Sequence, residues 1–213
     1  QEATGKHQLN VGNYGSALGG VGLMGLKAAT GIGSLAAAGT MAVSALKDGV
    51  ATAMDFDAAV SKLSAILGVG KDEMTELVEQ ARQLGATTIF TAQEVAELQT
   101  ELAKLGYGQQ EIKNMTKDVL LFAQATGSSL ADAASLAGAS LRMFEKDTQD
   151  TQDFVDKMAA STNKSALSFS FLQNAMSTVS PVANAFGFKI EDTLALLGQL
   201  ANAGFDASSA ATA

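Results

Sequence analysis

The sequence predicts an all-α fold, a compact bundle of short helices preceded by a Gly/Ala-rich apolar helical segment. Three observations carry this reading. One proline, Pro181, stands among 213 residues, so rigid turns seldom interrupt the chain. Alternating runs of β-branched or aromatic residues, the mark of strands, are few. Glycines and capping residues recur where amphipathic stretches end and begin, which is the punctuation of helices.

The composition bounds what such a fold can do. Apolar residues make up 47% of the chain and charged ones 17%, against roughly 25% charged in an average soluble protein. Aromatics are 6% with no Trp, and Ala and Gly fill the gap. Small side chains let backbones approach closely but gain little transfer energy each. Chains of this kind gain stability by stacking on copies of themselves or on other chains. With no cysteine, a disulfide scaffold is excluded and a zinc cluster has no thiolates. The net charge of −8 argues against binding nucleic acid through a broad electrostatic surface. No charged-then-apolar secretory signal opens the chain. It begins at Gln1 and ends in the run Ala210–Ala213, and we expect an ordered piece of a longer polypeptide.

The chain divides near Lys47, into a Gly/Ala-rich apolar segment (1–47) and a helical domain (48–213). Between His7 and Leu46 the only formal charge is Lys27. Residues 28–46 are 19 in number and uncharged; as a helix they would span about 28 Å, close to a bilayer core. Gly15 and Gly19, and then Ser34, Ala38 and Ala42, repeat at the four-residue spacing that lets helices approach closely. These five are the candidate oligomer or membrane interface. Gly, Ala, Ser and Thr dominate the segment, so its hydrophobicity is borderline. Three readings stay open: packing on copies of itself or a tube wall, shielding in a particle before later membrane entry, and a permanent anchor.

The second part reads as a series of short helices. The first runs from about Val50 to Leu67, with Phe56, Ala59, Val60, Leu63, Ile66 and Leu67 on one face. The second, about Lys71 to Leu84, turns Met74, Leu77, Val78, Ala81 and Leu84 inward and takes Gly85 as its stop. Thr91-Ala-Gln-Glu94 has the form of a capping box and opens a third, which ends at Gly106. Gln109 to Gln124 is a fourth, stopped at Gly127. A fifth is capped at Ser129 and reaches about Phe144, and Asp147 to Ser161 is a sixth. Phe169 to Phe186 is a seventh that Pro181 kinks or breaks. Ile190 to Ala203 is the last. Helix openings at Glu94, Leu130 and Ile190 echo one another weakly. Their spacing is irregular, so small helix–turn–helix units in one domain are expected and not a solenoid repeat.

No chemistry emerges from this pattern. His7 is the only histidine, lies in the polar N-terminal stretch and has no nearby His or Cys. The glycines from Gly15 to Gly25 lack the preceding strand and the Gly-Lys-Ser/Thr of a phosphate loop. Asp55 and Asp57 form a close acidic pair. Asp147, Asp150, Asp153 and Asp156 recur every three residues, as on a solvated helix face. The loop glycine and terminal Glu of a calcium site are missing there. Phe169, Phe171, Phe186 and Phe188 read as core or interface. No catalytic, cofactor-binding or metal-ligating residue is assigned; the chain is read as no enzyme and as needing no cofactor.

From Met54 to the end, about 160 of 213 residues, the chain resembles the core region of phage tail tape measure proteins. The matches begin with Met54-Asp-Phe-Asp-Ala-Ala-Val-Ser-Lys-Leu-Ser-Ala-Ile-Leu-Gly68. The most specific is Ala81-Arg-Gln-Leu-Gly-Ala-Thr-Thr-Ile-Phe-Thr-Ala-Gln-Glu-Val-Ala96. Leu102-Ala-Lys-Leu-Gly-Tyr107, Val119 to Gly127, Ser180-Pro-Val-Ala-Asn-Ala-Phe-Gly187 and Ile190 to Gly204 follow in the family's order. One departure concerns a cap. The family often has Ser just before the Ile-Glu-Asp run, and here Lys189 stands in its place.

The resemblance implies a long, mostly helical chain inside the tail tube, whose length sets tail length because tube subunits polymerise around it. It implies three or six copies side by side, contacts with tube and tail-tip or baseplate proteins, and a virion location. It also implies release at infection, when apolar segments help the genome cross the host membrane. No specific nucleic-acid binding is expected. The rival class is a helical pore-forming or toxin-translocation component, against which the order of the motifs argues.

Overall fold

The structure, a computed structural model, describes residues 52–213. The candidate interface residues Gly15, Gly19, Ser34, Ala38 and Ala42 lie outside the described residues, as does His7. Among the described residues the chain forms nine α-helices and no strand. A helix over 52–67 (α1) is followed by a 3-10 turn, Lys71–Met74, that runs into Thr75–Thr87 (α2). Then come Ala92–Lys104 (α3), Gln109–Thr126 (α4) and Leu130–Met143 (α5). A second 3-10 turn, Thr148–Asp150, opens Thr151–Lys164 (α6). Phe169–Ala185 (α7), Ile190–Asn202 (α8) and Ala207–Thr212 (α9) complete the unit Asp55–Ala213.

The helices are joined by two kinds of corner, each with a local cause. In the commoner kind, one residue takes a left-handed conformation, one follows, and the next is an extended N-cap. Gly106-Tyr107-Gly108 is an example. Gly106, at φ 87°, donates to Ala103 O, and Tyr107 N–H donates back to Leu102 O. Glycine suits the position because a Cβ there is penalised. The next cap comes from the third helical residue: Gly108 N–H donates to Glu111 Oε2 at 2.7 Å. Glu145 (φ 51°) takes the left-handed place between α5 and the second 3-10 turn.

The second kind of corner is built by hydroxyls. Thr88 Oγ1 donates to Leu84 O and accepts from Phe90 N–H, after which Thr91 caps α3. Ser165 repeats this: it donates to Ser161 O, accepts from Leu167 N–H, and Ser168 caps α7.

These corners recur in a fixed order, so the domain contains an internal repeat. Gly68, Gly70, Thr88, Thr91, Gly127 and Ser129 stand 77 residues before Glu145, Asp147, Ser165, Ser168, Gly204 and Asp206, which hold the same conformation or cap. Thus α2–α5 correspond to α6–α9, and the 3-10 turns correspond as well. Much of the packing follows: α3 lies on α4 and α5 as α7 lies on α8 and α9, and α2 touches α4 as α6 touches α8, whereas the close α2–α3 contact is not repeated between α6 and α7. The α4 and α5 helices of the first repeat receive α6 and α7 of the second. Within the repeat α7 is longer than α3 (17 residues against 13) and α8 shorter than α4 (13 against 18). The openings at Glu94, Leu130 and Ile190 lie on α3, α5 and α8, which are not counterparts. That sequence echo therefore pointed to the wrong pairs.

Three other expectations are corrected. Gly85 does not stop α2, which runs on to Thr87. A Cβ on Gly85 would stand 2.3 Å from Ala92 N, so this glycine is where the two helices nearly touch. Pro181 does not break α7, which continues to Ala185. Pro181 is exposed, so the carbonyl that its missing N–H leaves free faces water. Finally α8 is not the last helix: Asp206 accepts from Ser208 and Ser209 N–H, both at 3.0 Å, and opens α9.

The core is one continuous cluster from Ala59 to Ala210. Its largest fully buried members include Leu63, Leu98, Ile112, Phe122 and Leu172. Ile66, assigned inward by periodicity, is 38% exposed; the other members of that α1 face are buried or half-buried.

Candidate interaction surface

The sequence assigns no catalytic group, and the structure gives three of the singled-out acids structural partners. Asp57 accepts from Lys71 Nζ at 2.7 Å. Asp147 accepts from Gln149 N–H and caps a 3-10 turn. Asp153 pairs with Lys157 at 2.5 Å. Among the described residues no group of three or more His, Cys, Asp or Glu side chains gathers to hold a metal. None of the described helices is long and apolar enough to cross a membrane.

Lys157 on α6 also reaches Glu191 on α8 at 2.6 Å, tying the two helices together. Hydrogen bonds to Asp153 and Glu191 hold the Lys157 ammonium above its ordinary range. The Lys157 bond likewise pulls the Glu191 carboxyl down. Beside this pair an open hollow of about 380 Å³ runs between α6 and α8, past Ser161, Lys164, Gly198 and Asn202. Gly198 is at a close approach, since a Cβ there would meet Ser165 at 3.3 Å. Asn202 Oδ1 accepts from Ala166 N–H at 2.7 Å and fixes the corner over it. On α4, burial pushes the Asp118 carboxyl up, Lys117 opposes this, and Asp156 adds to it. The hollow is lined by the Lys157–Glu191 pair, Lys164 and mostly small or polar residues.

The phenylalanine group is divided by the fold. Phe169 and Phe171 start α7 and pack on the core, Phe169 lying 5.9 Å from the Phe122 ring. Phe186 and Phe188, at the other end of α7, are 77% and 47% exposed, with Val182 one turn before them at 54%. Such a set of large apolar side chains in water marks a surface that meets something. The sequence held no signal for this division. All four residues look alike until the fold gives one end of α7 a cover and leaves the other bare.

Comparison with known proteins places the chain in a family. The chain belongs to the phage-related minor tail protein family, which it matches over residues 78–213. It is 32% identical over 158 residues to the tape measure protein of Pneumococcus phage Dp-1, covering 74% of this chain and 14% of that protein. It is 35% identical over 187 residues to the probable tape measure protein of Escherichia phage P2, covering 86% of this chain and 22% of that one. The chain thus spans less than a quarter of the length of these curated relatives. No solved structure matches it. Family membership sets the chain among phage-related minor tail proteins and does not favour the toxin reading.

Proposed function

We propose that the protein to which this chain belongs acts as a ruler for the phage tail. Tube subunits polymerise along its helical length until it is covered, and that length fixes the tail. The observation behind this reading is the ordered similarity to two tape measure proteins over 74% and 86% of the chain. In the proposed assembly three or six copies lie side by side within the tube and meet tail-tip or baseplate proteins. At infection they leave ahead of the genome. The apolar segment 15–46, with Gly15, Gly19, Ser34, Ala38 and Ala42 at close-packing spacing, then serves tube lining or host-membrane passage. The role is mechanical and needs neither catalysis nor cofactor. A chain of net charge −8 also leaves passing DNA unhindered.

The test is tail length by electron microscopy after deleting a known number of helical residues from the parent gene, outside this domain. The ruler predicts shortening of about 1.5 Å per deleted residue. Tails of unchanged length would overturn it.

A further inference from the structure

We draw no further inference here: the strongest candidate, the surface patch of Val182, Phe186 and Phe188 at the end of α7, is an unpartnered apolar face, and nothing in the structure shows what covers it.

Discussion

Gln99 is the least comfortable residue in the core. It is fully buried, its Nε2 donates to Leu77 O at 3.1 Å, and its Oε1 has no partner. A buried acceptor left without a donor costs roughly 1–3 kcal/mol. Its counterpart 77 residues on, Met176, fills the same place with a thioether and is also buried. Gln99→Met is therefore expected to stabilise the domain by about 1 kcal/mol, which in a chain of this size raises the midpoint by roughly 2–4 °C. A lower midpoint in calorimetry would mean that the bond to Leu77 outweighs the orphaned oxygen. Glycines sort themselves at this scale too, though not in the sequence. Gly85 and Gly106 both stand near a helix end, but one is chosen for a 2.3 Å approach to Ala92 and the other for its positive φ. A single letter serves both purposes, which is why periodicity misassigned Gly85.

At the scale of elements, helix starts were legible and helix partners were not. The Thr91 box is present as read: Glu94 N–H donates to Thr91 Oγ1 at 3.2 Å and Thr91 N–H to Glu94 Oε2 at 2.7 Å. Ser129 accepts from Asp132 N–H at 3.1 Å. These signals are local, so a short window holds them. The suspicion about Lys189 also stands. Its side chain offers no acceptor to α8, and the cap is reduced to Lys189 N–H donating to Asp192 Oδ2 at 3.4 Å. Lys189→Ser supplies the missing oxygen and is expected to stabilise by about 1 kcal/mol. Chemical denaturation should show a higher midpoint with an unchanged slope, and no change would mean that the Asp192 half of the cap already suffices. The short α9 escaped notice because Ala207-Ser-Ser-Ala-Ala-Thr212 carries no large apolar residue to set a period. The repeat escaped because it is conserved in backbone and cap chemistry while side chains diverge: Gly68 answers to Glu145, Gln99 to Met176.

For the whole molecule, the charges set an acid limit. Glu191 is held below its ordinary 4.5 by the Lys157 bond, and Glu76 is lowered by Lys113. A carboxyl lowered in the folded state contributes stability above its unfolded value, and loses it as pH falls through the folded one. Asp118, raised by burial, acts in the opposite sense and softens the decline. Because Glu191 is half exposed, its share is a fraction of a kcal/mol. Glu191→Gln should lower the thermal midpoint slightly at pH 7 and match the parent once the pH has fallen through the lowered folded-state value, below 4.5. A gap that persists in acid would place its origin in packing. At this scale the all-α class was readable from composition and spacing. The exposed end of α7 was not, since exposure depends on which helices the fold lays against it.

The unequal helices of the two repeats have a geometric meaning. Four residues make one turn and about 40° of rotation, with a rise of about 6 Å. Lengthening α7 by that amount moves its terminal corner outward and turns it slightly. Gly106 and Gly187 are accordingly 81 apart, while Gly127 and Gly204 return to 77. The phase advanced in one helix is cancelled in the next. Ala210 and Ala211 thus face inward where Ala133 and Ala134 do. A joint can slide along its helix by a full turn without rotating the helices beyond it, provided the slide is undone before the next joint.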